Sequence, residues 1–169
     1  NPAHEEEAAA ILAACGFRVA GWSRSAKSIP GIECLSGEAG LDAAIRGSEI
    51  LVLLLPHTAD TERLLNAERI AAMPKGACLV NAGRGPLIDH EALLAALDAG
   101  HLRHATMDVF DEEPLPADHP YWRHPGATVT PHIASVTRPE TAADALVAQI
   151  LRGERGEGFL HVVDRQAGY

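Results

Sequence analysis

Apolar residues along this chain fall at two spacings, one helical and one strand-like, and the two take turns. Ala8, Ile11, Leu12 and Cys15 recur at helical intervals, and Gly16 stands just past them as a stop. Residues 17–22 then read as a short strand, and residues 41–45 as a short helix ended by Gly47. Residues 50–55 are wholly apolar with β-branched members, the pattern of a parallel strand buried on both faces, and Pro56 closes it. Asn66 is placed to cap a helix running through Met73, stopped by Pro74 and Gly76. Residues 77–81 make a third strand. Asp89 offers an N-cap, with Leu93, Leu94 and Leu97 behind it and Gly100 after. Residues 104–109 and 128–130 read as the fourth and fifth strands, separated by a loop holding Pro114, Pro116, Pro120 and Pro125. Thr137 and Glu140 form a capping box with Pro139 in the first turn, ahead of a helix with Ala143, Leu146, Val147, Ile150 and Leu151 on one face.

Strands spaced by helices of this length imply crossover connections and a doubly wound parallel sheet, an α/β Rossmann-like fold. The 169 residues suit one domain, or one large domain with an appendage. Aromatics are only 4%, so Leu, Ile, Val and Ala must build the core. Lys plus Arg is 14 and Asp plus Glu is 23, a net charge of −9, which argues against non-specific binding to nucleic acid or anionic membranes. The longest apolar run, residues 50–56, is far shorter than the roughly 20 residues of a membrane-spanning helix. Cys15, Cys34 and Cys78 are widely separated and contain no CxxC pair, so reduced cysteines in a cytoplasmic protein are expected. Residues 1–15 carry no basic end and no cleavage signature of a signal peptide.

In such sheets ligands sit at the carboxyl ends of the strands, so the residues after each strand carry the interest. After the first comes Ser23-Arg24-Ser25, with Lys27 nearby. A NAD-preferring sheet usually places a carboxylate there, which would repel a 2′-phosphate; here Ser23 is neutral and Arg24 offers a bidentate phosphate partner. From these residues alone an ordinary basic turn is the slightly favoured reading. After the second strand come Pro56-His57-Thr58 and Thr61; Thr58 suits the cap of a short helix, and His57 the surface. After the third comes Asn81-Ala82-Gly83-Arg84-Gly85-Pro86, where two glycines would let the backbone approach a flat ligand while Arg84 projects into the cleft. After the fourth, residues 108–114 hold Asp108, Asp111, Glu112 and Glu113, among which composition cannot choose. After the fifth, His132 stands between Pro131 and the capped helix.

The run GACLVNAGRGPLIDHEALLAALDAGHLRHATMDVFDEEPLP at 76–116 and HPGATVTPHIA at 124–134 resemble the D-isomer-specific 2-hydroxyacid dehydrogenases. Within that family, GWSRSAKSIPG at 21–31, VTRPE at 136–140 and VDRQAGY at 163–169 look like the glyoxylate/hydroxypyruvate reductase subgroup. The likeness runs from about Ala8 onward. By this resemblance Arg84 binds substrate, Glu113 partners the histidine, and His132 donates the proton. The residue types agree with that chemistry: an imidazolium titrating near ~6.5 is a natural acid, and a carboxylate on its other nitrogen orients it. The resemblance further places Asp108 and the backbone at Ala82 and Gly83 beside the nicotinamide, puts Leu55, Pro56 and Thr61 along the cofactor cleft, and makes Ala134 a cofactor-binding residue. It makes Ser23, Arg24 and Lys27 an NADP-selecting turn, with NAD the alternative cofactor and no metal involved. A small 2-keto acid substrate and a homodimer are also implied.

One departure matters. The family carries a strand ending in GxGxxG, which cradles the pyrophosphate; this chain has none, and the last glycine of that motif would fall near Glu5. Residues 1–136 are therefore expected to be an incomplete dinucleotide-binding domain. Residues 137–169 are the helix and tail that join a substrate domain not represented here, so a partial record of a longer reductase is expected. The strand that would lie between 17–22 and 50–55 is missing, which should leave two strand edges unpaired and the chain alone prone to aggregate. Two other readings remain open: a NAD-dependent dehydrogenase of another 2-hydroxy acid, and a non-catalytic Rossmann-like scaffold.

Overall fold

The computed structural model describes residues 2–135, 139–160 and 162. In chain order the elements are α1 (Pro2–Ala14), β1 (Ala20–Ser23), β2 (Glu33–Ser36), α2 (Gly37–Gly47), β3 (Ile50–Leu53), α3 (Ala67–Ala72), β4 (Cys78–Asn81), α4 (His90–Asp98), β5 (His104–Met107), β6 (Ala127–Val129) and α5 (Pro139–Glu154). Short 3-10 turns cover Gly85–Leu87 and Pro120–Trp122. The expected caps form: Asn66 accepts from the Arg69 amide at 3.0 Å, and Asp89 from the Ala92 amide at 3.1 Å. Gly16 closes α1 with φ +90°. The capping box at Thr137 and the segment 163–169 lie outside the described residues.

Every strand pair is parallel, in two sheets: β1–β2, and β3–β4–β5–β6 in that order. Helices flank the four-stranded sheet, making a Rossmann-like α/β fold. Sequence reading missed β2. Its four residues alternate weakly and none is fully buried, so no hydrophobic period marks it. The division into two sheets agrees with the expected gap between the first and second predicted strands.

Register and alternation sort the main sheet into two faces. Leu53, Asn81 and Met107 lie in one row, and Leu51, Leu79 and Ala105 in the next on the same face. That face meets the core, where Leu41, Ile45, Ile70, Leu87, Leu93, Leu97 and Tyr121 are buried with Leu53, Leu79, Ala105 and Met107. The opposite face is bare along β3: Ile50 is 49% exposed and Val52 41%, with Leu54 also exposed. This corrects the expectation of a strand buried on both faces. β3 is an edge strand of the sheet, and among the described residues nothing covers its outer face. The helical periodicities at 8–15 and 143–151 do form helices, yet Ile11, Leu146, Val147 and Ile150 are exposed too.

Two glycines fix how close the loops at the carboxyl edge come. A Cβ on Gly85 would overlap the Phe110 carbonyl group, and one on Gly83 would sit 2.9 Å from the Leu55 carbonyl oxygen. Both are therefore required by the chain's own backbone, a stronger demand than the ligand approach read from the sequence. Gly85→Ala should lower the Tm of the full-length protein by at least about 4 °C, as a loss near 3 kcal/mol does for a protein about twice this chain's length. Unchanged thermal unfolding would mean that the two backbones can separate freely.

Candidate active site

The arginine turn is built from β4. Asn81, fully buried at the strand's carboxyl end, accepts from the Gly83 amide at 3.1 Å and donates from Nδ2 to the Arg84 carbonyl at 3.0 Å. Both ends of the amide are thereby used, and the turn is latched from below. Arg84 stays exposed, with extended backbone, and its Nη1 donates to the Gly83 carbonyl at 2.6 Å. Sequence reading noted Asn81 without assigning it work; a polar residue closing an apolar strand was the available sign.

The imidazole is set by a second latch. Asp108, only 4% exposed, follows β5 and sends both carboxylate oxygens across to the segment after β6. One oxygen accepts from Thr130 Oγ1 at 2.5 Å and from the Ile133 amide at 3.0 Å; the other accepts from the Ala134 amide at 2.8 Å. Burial disfavours its charge, but these three hydrogen bonds and then the His132 ring outweigh burial and hold the carboxyl below its ordinary 3.8. The segment so tied carries His132 at φ +55°, a left-handed conformation that few non-glycine residues adopt. Its Nδ1 meets Glu113 Oε2 at 2.7 Å. Glu113 Oε1 also accepts from the Phe110 amide at 2.9 Å. The His132 hydrogen bond first, then that amide, hold the Glu113 carboxyl below its ordinary 4.5 against a smaller cost of burial. The charges of His132 and Arg84 add to this, so Arg84 stands within electrostatic reach of the pair.

An ionised Glu113 can only accept, so the hydrogen between the two groups belongs to Nδ1 and the other ring nitrogen is left to face outward. His132, Glu113 and Arg84, far apart in sequence, thus gather at one edge of the sheet. Asp108 sits beneath this group with its oxygens occupied by the chain itself. The structure gives it a positioning contact that sequence reading did not foresee, because the bond runs from a strand end to a segment more than twenty residues on.

The other predicted residues follow β1, in the smaller sheet, and β3, in the larger one. Ser23 donates to the Ser25 carbonyl at 2.8 Å, rounding the turn. Arg24 Nη1 lies 3.8 Å from Asp60, in the loop after β3, and Lys27 reaches Glu6 of α1 at 3.2 Å. Thr61 Oγ1 donates to the Pro56 carbonyl at 2.7 Å and receives the Thr58 amide at 2.8 Å. That closes a turn just after Leu55, and no helix forms at 58–65, so Thr58 caps none. His57 lies at the surface, as expected, 4.0 Å from Glu62. Ala82 donates its amide to the Leu53 carbonyl at 3.1 Å, which holds the Ala82–Gly83 backbone beside β3.

Residues 6–134 match the D-isomer specific 2-hydroxyacid dehydrogenase family, NAD binding domain. The chain belongs to that family. It is 46% identical over 158 residues to glyoxylate/hydroxypyruvate reductase A of Salmonella paratyphi B, covering 94% of this chain and 51% of that protein. The chain therefore spans about half the length of the curated relatives it matches. A D-isomer specific 2-hydroxyacid dehydrogenase from Xanthobacter autotrophicus Py2, in complex with NADPH and MES, is similar at a TM-score of 0.93 and 48% identity, over 96% of this chain and 67% of that one. The NADPH-dependent glyoxylate/hydroxypyruvate reductase of Sinorhizobium meliloti, in complex with NADP and sulfate, is similar at 0.93 and 40%, over 97% of this chain and 53% of that one.

The Asp108 latch has a pH signature. Its pKa is lower folded than unfolded, so its contribution to stability is present above 3.8 and is lost as pH falls through the folded value. Asp108→Asn keeps the shape but turns an amide donor toward backbone donors. It should lower the unfolding free energy by ~1–3 kcal/mol at neutral pH, and the gap to wild type should narrow near pH ~3. Urea unfolding at the two pH values checks this; an equal gap at both would show that the ionised carboxylate is not what ties the segment.

Proposed function

We propose that the full-length protein reduces a small 2-keto acid, glyoxylate or hydroxypyruvate, to the 2-hydroxy acid with NADPH. The observation that carries this is the His132–Glu113 pair at 2.7 Å, with Arg84 on the turn that follows the neighbouring strand β4 at the same edge of the sheet. The donor set suits the cofactor's adenosine end: Ser23, Arg24 and Lys27 follow β1 with no carboxylate at the strand's own end, and a 2′-phosphate would take the place of Asp60 on Arg24 and of Glu6 on Lys27. Leu55, Pro56, Thr61, Ala82, Gly83 and Ala134 would line the rest of its path. NADPH, when bound, supplies the hydride to the keto carbon.

The chain's own residues do the remaining work. Arg84 pairs with the substrate carboxylate and polarises the keto oxygen. His132, charged and with its outward Nε2–H aimed at that oxygen, gives it a proton. Glu113 holds the ring's other nitrogen and stabilises the imidazolium until that proton leaves. Asp108 keeps the His132 segment in place throughout.

Residues 1–136 then serve as dinucleotide-binding domain, and residues 137–169 as the connection to the family's substrate domain. The exposed apolar side of α5 supports such a connection. Use of NADPH over NADH, a homodimer and a cytoplasmic setting belong to the same proposal, supported by the named relatives or by family resemblance. Steady-state kinetics of the full-length protein test it. His132→Asn should lower kcat ~10²- to 10⁴-fold with the fold intact. Arg24→Ala should lower kcat/KM for NADPH at least ~10-fold while leaving that for NADH nearly unchanged. Wild-type preference for NADH would remove the NADPH assignment; full turnover by His132→Asn would remove the proton donor.

A further inference from the structure

Behind the arginine turn lies a polar cluster that the proposed chemistry does not use. His90, at the start of α4 and mostly buried, stands between two loops and a tyrosine. Its Nδ1 is 2.9 Å from Tyr121 Oη, its Nε2 is 3.2 Å from the Gly85 carbonyl oxygen, and the same Nε2 is 3.4 Å from Asp111 Oδ1. A carbonyl can only accept, so Nε2 carries hydrogen and Nδ1, on a neutral ring, takes the Tyr121 hydroxyl hydrogen. Tyr121 is 1% exposed, and its ring packs on His119 at 4.7 Å between centroids. Burial, with Asp111 and Asp89 adding, pushes its phenol pKa upward, so it stays a donor.

Gly85 follows Arg84 directly, and Asp111 stands two residues before Glu113. Between them the Gly85 backbone is pressed against Phe110 and Asp111 with no room even for a methyl group. We propose that His90 is a positioning residue: by bridging the Gly85 carbonyl, Asp111 and Tyr121, it sets the spacing between the Arg84 turn and the loop that presents Glu113. It touches neither substrate nor cofactor in this reading. Without the imidazole, the Tyr121 hydroxyl loses its partner, the Gly85 carbonyl keeps only the Ile88 amide at 3.2 Å, and the two loops lose the side chain that bridges them.

The kinetic part of this rests on the proposed reduction. In the full-length protein, His90→Ala should raise KM for glyoxylate and lower kcat, together costing ~10- to 100-fold in kcat/KM, while KM for NADPH stays within about twofold. Tyr121→Phe keeps the packed ring and should move the same constants in the same direction by less. His90→Gln, whose amide can still donate to Gly85, should recover most of the loss. A second readout needs no turnover: amide hydrogen exchange over 83–87 and 110–113 should quicken in His90→Ala, not in His90→Gln, with β3–β6 unchanged. If wild type fails to reduce glyoxylate, the functional reading falls and exchange alone decides the positioning role. Unchanged exchange, or kinetic losses that fall equally on NADPH and glyoxylate, would overturn it.

Discussion

A single buried carboxylate decides where the imidazole stands. Asp108 follows directly on β5 and takes a hydroxyl and two amides from residues 130, 133 and 134, so the strand's end and the segment after β6 become one piece. His132 lies inside that piece with a left-handed backbone that a free loop would abandon. Three donors converging on one carboxylate make the charged form worth keeping despite burial. The ring is then delivered to Glu113 rather than left to search for it.

The same economy governs the arginine side. Asn81 uses both its donor and its acceptor on the turn above it, and Gly83 and Gly85 let that turn lie against neighbouring backbone where no side chain fits. Arg84, Glu113 and His132 therefore stand on three loops whose mutual distances are set by buried polar contacts, not by the exposed charges themselves. Exposed pairs such as Arg24 with Asp60 add little rigidity in comparison.

Much of this could be read from the sequence, and the reasons are physical. Helix caps at Asn66 and Asp89 are local contacts between a side chain and an amide three residues on, so their residue types announce them. The strands of the main sheet are runs of apolar residues, and their carboxyl ends were found to within a residue or two. Arg84, Glu113 and His132 came from family resemblance, since residue types alone could not choose among four acids and nine histidines. What stayed hidden was non-local. The Asp108 latch, the left-handed His132 and the close approach at Gly85 depend on which loops meet. β2 lacked a period, and β3 looked doubly buried because its composition is apolar on both sides while its packing is not.

Those bare apolar faces on β3, α1 and α5 contrast with the tightly tied carboxyl edge, where no buried side-chain nitrogen or oxygen among the described residues lacks a partner. The chemistry proposed for that edge needs the hydrogen shared by His132 and Glu113 to sit on Nδ1. Long-range proton–nitrogen NMR of the full-length protein reads this directly. A strongly deshielded Nδ1 proton on His132 that disappears or moves upfield in Glu113→Gln is the expected result. A His132 ring with bare Nδ1, or a signal indifferent to that substitution, would contradict it.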